Sequence, residues 1–154
     1  MDQFPADFFD GGTQHAKGGC GFILLLSREH FYKGWMGIEG STNNLSELVA
    51  VWTLLFWAHV NSIMELMIYG DSRIVIDWLL GKSALRAINI SHWCRRIRSL
   101  LLQFRSLSFG HVYREDNVDA DTLSKWGIGS MEGHLMVEEI QGSILRRSIN
   151  HKLF

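Results

Sequence analysis

The chain has 154 residues, 47% hydrophobic and 20% charged, with a single proline and a formal net charge of −1. That length sustains one domain with a real core, and the composition excludes a disordered chain. No apolar run reaches the roughly 18–20 residues of a membrane span, and the near-neutral balance argues against gripping nucleic acid by charge alone.

Phe8-Phe9 before Asp10 reads as the end of a short first strand. Gly21 to Ser27 reads as a second strand and Tyr32 to Glu39 as a third, an antiparallel meander joined by short glycine-containing links. Asn43 or Asn44 then caps a long helix in which Leu45, Leu48, Val49, Trp52, Leu55, Phe56 and His59 recur at helical spacing. Leu66 to Tyr69 is a buried strand ending at Gly70-Asp71. Ser72 caps the next helix, which carries Ile74, Val75, Trp78 and Leu79 and stops at Gly81. Another helix runs from Ser91 to Phe104, with Trp93, Ile97, Leu100 and Leu101 on its apolar side. Leu107, Phe109, His111 and Tyr113 alternate as a strand, and Asn117 to Trp126 makes a last helix with Gly127 as its stop. In the tail, Leu135-Met136-Val137 reads as one more strand, while Arg146 to Phe154 reads as an ordered appendage or a linker remnant.

This order predicts an α/β fold: a mixed five-stranded sheet, three antiparallel strands then parallel strands, flanked by helices. The expected division is a domain over 1–127 and an extension over 128–154, packed on the domain or trailing from it. The N-terminus lacks the basic region and apolar run of a signal peptide. Cys20 and Cys94 are too few for a disulfide framework, so an intracellular, reducing compartment is expected, cytoplasm or nucleus alike.

Four acids in different local settings carry the chemistry: Asp10 and Asp71 at the ends of apolar stretches, Glu47 and Asp121 near the starts of helices. Carboxylates are costly to hold together unless something positive neutralises them. If the fold converges them, hard divalent cations are the expected neutraliser, and a carboxylate set holding two Mg²⁺ is the usual apparatus for phosphodiester hydrolysis. Singly, each acid has a plainer reading. Asp10 and Asp71 could be strand-end turn residues, and Glu47 could support the helix dipole.

Five ordered segments then resemble the type 1 ribonuclease H domain, in the form found in plant genomes and plant retroelement polyproteins. They are Phe8-Phe9-Asp10-Gly11-Gly12, Gly18-Gly19-Cys20-Gly21-Phe22, Thr42-Asn43-Asn44-Leu45-Ser46-Glu47-Leu48, Gly70-Asp71-Ser72, and His111-Val112-Tyr113-Arg114-Glu115-Asp116-Asn117 leading into Ala120-Asp121-Thr122-Leu123-Ser124-Lys125. The match spans about Phe8 to Gly127.

The resemblance implies the ribonuclease H-like arrangement and an endonuclease that hydrolyses the RNA strand of RNA/DNA hybrids, leaving 5′-phosphate and 3′-hydroxyl ends. It implies Asp10, Glu47, Asp71 and Asp121 as ligands of two Mg²⁺ ions, with Mn²⁺ as a substitute. His111 matches the family's mobile histidine, and an imidazole neutral near pH 7 can shuttle protons. Its plainer reading is a strand histidine packed on Tyr113. Substrate choice would rest on Gly11, Gly12, Asn43, Asn44 and Ser72. Glycine lets backbone approach the sugar, and Asn amides suit the 2′-hydroxyl. Capping is the rival account of the two asparagines.

Glu115 and Asn117 read as shaping the loop before the last helix, and Asp119 as an exposed non-ligand. Arg95, Arg96, Arg98 and Arg105 form a basic group that reads equally as a solvated face or a phosphate contact. The link Gly12 to Gly18 is poorer in glycine and proline than in many family members, and the lysine and tryptophan handle of some bacterial members is missing. The start at Met1, so close to the first strand, suggests a domain cut from a longer polyprotein or a stand-alone relic. A monomer is expected, with a reverse transcriptase module as the partner in any parent polyprotein. The competing reading is a catalytically weak or inactive domain that binds nucleic acid or protein. A third keeps the chemistry with the substrates of exonucleases, junction resolvases or integrases.

Overall fold

The computed structural model describes residues 3–86 and 88–154 and contains one mixed sheet of seven strands. Strands β1 (Ala6–Gln14), β2 (Lys17–Leu25) and β3 (His30–Glu39) form the expected meander, longer than the apolar runs alone foretold. The link between β1 and β2 is only His15-Ala16, both at positive φ, because Gly12 to Gln14 pair with Lys17 to Gly19. The stretch read as a glycine-poor link is therefore mostly strand. Two-residue hairpin turns of this hand match the twist of the strands they join.

Helix α1 (Asn43–Val60) follows, then β4 (Glu65–Gly70), α2 (Arg73–Leu79), α3 (Ile88–Leu101), β5 (Ser106–His111) and α4 (Val118–Ile128). β4 runs parallel to β1, and β5 parallel to β4. The chain closes with β6 (His134–Gln141) and β7 (Ile144–Lys152), a hairpin turning at Gly142-Ser143. The strand order is β5-β4-β1-β2-β3-β6-β7. Five strands were expected. The two extra ones come from the tail, where β6 pairs with β3 and sinks Leu135 and Val137 into the core. β7 was hard to read because nearly all of it is exposed, so it has no apolar alternation.

Successive strand residues face opposite sides, which sorts the helices. Gly11 faces the backbone of α1 and Gly21 that of α4, so these two helices cover opposite faces. α1 is buried along most of its length, packed between the sheet and α3. Its central side chains, Leu48, Leu54 and Leu55, meet Phe9, Phe22, Leu24, Met36 and Ile68 in one core. On the other face α4 approaches closely, since a Cβ on Gly19 or Gly21 would strike its backbone. Gly127 belongs to the same contact: its Cβ would lie 2.5 Å from the Met36 carbonyl oxygen. It sits inside α4 as a packing residue, and the helix ends one residue later.

Candidate metal centre

β1 pairs with β4 from Ala6↔Met67 to Phe9↔Gly70. There the ladder forks: β1 continues along β2, while the chain after Gly70 leaves for α2. Asp10 and Asp71 are the first residues past the fork, Asp10 still within β1 and Asp71 just beyond the end of β4. Asp10 thus lies inside β1, and it is the parallel pairing that ends there. Glu47 arrives from the start of α1, whose cap is Thr42; the Thr42 hydroxyl accepts from the Leu45 amide at 3.2 Å. One carboxylate oxygen from each of Asp10, Glu47 and Asp71 lies within 4.8 Å of the other two. Among the described residues no other trio of His, Cys, Asp or Glu converges in this way.

Burial pushes the Glu47 carboxyl well above its ordinary range, and the charges of Asp10 and Asp71 add to that. Asp10 is raised from 3.8 to about 6, chiefly by burial; a hydrogen bond with Glu47 works against the rise, and the Asp71 charge works with it. Asp10 also accepts the Gly11 amide at 2.9 Å. Glu47 Oε2 is buried with no partner among the described residues. An oxygen-only donor set, two of its members buried and one oxygen unmatched, suits a hard divalent cation.

Asp121 lies outside this trio, in the first turn of α4, paired with Lys125 at 3.0 Å. It still reaches far enough to raise Asp10. A partly exposed i,i+4 pair holds by a few tenths of a kcal/mol, about 0.3–0.5, so Lys125 constrains Asp121 only weakly.

His111 ends β5, beside Gly70 in the parallel register. Its Nδ1 accepts from Arg73 at 3.3 Å, so the ring proton resides on Nε2, which donates to the Asp71 carbonyl oxygen at 3.2 Å. The ring also meets Tyr113 edge-on, as the plainer reading held.

A groove of about 570 Å³ opens over Asp10, Glu47, Asp71 and Asp121, lined also by Gly11, Gly12, Asn43, Asn44, Ser72, Arg114 and Lys125; His111 is not among its lining residues. Gly12 has open space around it, whereas Gly11 is pressed on α1. With Thr42 as the cap, neither asparagine is needed there. Asn43 accepts from the Thr13 hydroxyl at 2.9 Å, and both asparagines are exposed. Ser72 caps α2 by accepting from the Val75 amide at 3.3 Å. Asp119 is exposed.

Sequence reasoning missed Arg73, Thr13, Lys125 and the role of Asn117. Lys125 could have been found from its i+4 spacing to Asp121. Arg73 meets His111 only through the β4–β5 register. Asn117 donates from Nδ2 to Phe9 O at 2.9 Å and to Asp71 Oδ2 at 3.2 Å. Cys20 and Cys94 are both free. Among the described residues no helix is long and apolar enough to cross a membrane.

A family model described as reverse transcriptase-like matches residues 8–127. Comparison with curated proteins gives no match. Among solved structures, the chain is similar to RNase H1 from the halophilic archaeon Halobacterium salinarum, at 26% identity and TM-score 0.75, covering 80% of this chain and 96% of that one. It is similar to the N-terminal RNase H domain of a Mycobacterium tuberculosis protein, at 20% identity and TM-score 0.71, covering 82% and 95%. LC11-RNase H1, isolated from compost by a metagenomic approach and solved in complex with an RNA/DNA hybrid, aligns at 20% identity and TM-score 0.66, covering 80% and 96%. The shared feature is the mixed sheet flanked by helices, the ribonuclease H-like fold.

Proposed function

Because the chain belongs to the reverse transcriptase-like family, we propose that its acidic groove hydrolyses the RNA strand of RNA/DNA hybrids as a divalent-metal-dependent endonuclease. The observation that carries this is the convergence of Asp10, Glu47 and Asp71 within 4.8 Å at the fork between β1 and β4. The RNA/DNA hybrid bound by a structural neighbour supports the substrate class.

Asp10, Glu47, Asp71 and Asp121 would hold two Mg²⁺ ions, with Mn²⁺ as a substitute. Bound there, the ions would supply an acidified water and charge stabilisation for the leaving oxygen; the products we propose carry 5′-phosphate and 3′-hydroxyl ends. The protein's own groups do the rest. Asn43, Asn44 and the open backbone at Gly12 offer donors and acceptors where a 2′-hydroxyl can be read. Ser72 caps α2 and so fixes the turn that carries Asp71. His111, whose Nε2 faces the Asp71 carbonyl oxygen and whose Nδ1 faces Arg73, is set to exchange a proton beside Asp71. Arg114 and Lys125 line the groove and offset phosphate charge.

The catalytic set falls within 1–127, and 128–154 supplies the hairpin that extends the sheet. A plant retroelement polyprotein, with a reverse transcriptase module as partner, is the setting we propose. Hybrid cleavage by the wild type beside Asp71→Asn is the test, and an Asp71→Asn protein as active as wild type would sink the assignment.

A further inference from the structure

Asn117 immediately precedes α4 and is 2% exposed. Its side chain makes no capping bond to the helix it precedes. Both Nδ2 hydrogens are instead committed, one to Phe9 O at 2.9 Å and one to Asp71 Oδ2 at 3.2 Å. Two acceptors on one side fix the amide's orientation, since a flipped group would set oxygen against oxygen. Its Oδ1 is buried with no partner among the described residues. A buried amide with an unmet acceptor costs stability, so helix stability does not account for the residue.

Its geometry does. One nitrogen ties together β1, the chain just past β4, and the start of α4. Asp71 stands outside its strand and is partly exposed, with no ladder partner to hold it. A carboxylate there would turn freely about Cβ–Cγ. With Oδ2 held by Asn117, that rotation is lost.

We propose that Asn117 is a positioning residue for the metal centre: it fixes the Asp71 carboxylate in the orientation that converges with Asp10 and Glu47. This inference rests on the metal-binding reading of the same site. Asn117 touches neither substrate nor reacting atoms and acts through Asp71.

The test is Mn²⁺ and Mg²⁺ binding by calorimetry to wild type and Asn117→Ala, with thermal denaturation of both proteins in EDTA. Partners that orient a metal's ligands typically contribute about 10–100-fold to metal affinity. The expected result is a dissociation constant raised by about that factor in Asn117→Ala, in protein that still unfolds cooperatively. An Asn117→Ala protein with a lowered melting temperature and a wild-type dissociation constant would reduce the residue to a loop anchor and overturn the proposal. If Asn117→Ala does not fold, Asn117→Ser is read by the same two outcomes, since its shorter side chain cannot span both acceptors. Wild type that binds neither ion would instead overturn the metal centre itself, a separate and recognisable failure.

Discussion

A Cβ on Gly11 would lie 2.3 Å from the carbonyl carbon of Ser46, so α1 rests on β1 where only a hydrogen fits. That contact sets how closely Glu47, the next residue of α1, stands to Asp10. Gly11→Ala is therefore expected to push the helix outward. Overpacking of this kind costs about 1–3 kcal/mol, or a melting temperature lower by about 2–12 °C in a domain of this size, and cleavage should fall with it. Gly12→Ala meets nothing within 4 Å and should melt like wild type. Scanning calorimetry beside hybrid cleavage distinguishes the pair.

Asp10→Asn should trade activity for stability. In the folded protein the Asp10 carboxyl is held at about 6, against 3.8 unperturbed. A raised folded value means its stabilising contribution is full below about pH 4 and is lost as pH rises through about 6. Metal-free Asp10→Asn should then exceed wild type by up to about 3 kcal/mol at pH 7 while losing cleavage. Because the ion displaces that proton, Mg²⁺ affinity of the wild type should weaken as pH falls below about 6. Denaturant unfolding in EDTA and calorimetric Mg²⁺ titrations at several pH values check both statements.

Asp7 carries a second pH signature, remote from the groove. It is fully buried between Leu24 and Ile68 on the neighbouring strands, and among the described residues neither carboxylate oxygen has a partner. Burial holds its carboxyl well above the usual range. The folded state keeps the proton that the unfolded state gives up above about pH 4, so stability drains by about 1.4 kcal/mol per pH unit until the folded value is reached. Asp7→Val should raise the melting temperature at pH 7. The gap from wild type should shrink toward pH 4, as melts across that range would show.

His111→Ala should lower kcat on the hybrid by about 10²-fold, the lower end for general acid–base groups. Mg²⁺ affinity should stay close to wild type, because the ring bonds the backbone carbonyl of Asp71 and not its carboxylate. Single-turnover kinetics beside metal titration would show the split; a large loss of metal affinity would make His111 a structural prop.

The sequence exposed what depends on local chemistry. Asp71-Ser72 after an apolar run marked a strand end and a cap together, and both are there. Glu47 in the first turns of a periodic helix was equally legible. Asn43 or Asn44 was read as the cap of that helix, but Thr42 takes the position, since all three residue types can cap and only the backbone angles decide. Gly127 looked like a helix stop because a glycine needed for close packing carries the same letter as one that ends a helix. Asn117 was read only as a loop-shaping residue, and its bonds to Phe9 and Asp71 were not legible: these partners are 108 and 46 residues away, and no local pattern encodes them. β7 was lost for the opposite reason, an exposed edge strand with little apolar signal.

The most direct measurement is cleavage of an end-labelled RNA/DNA hybrid with Mg²⁺, beside single-stranded RNA, duplex RNA, duplex DNA and an EDTA control. Internal cuts in the RNA of the hybrid alone, abolished by EDTA and by Asp71→Asn, are the predicted result. Folded protein that cuts nothing with Mg²⁺ or Mn²⁺, or cuts duplex DNA as fast as the hybrid, would contradict it.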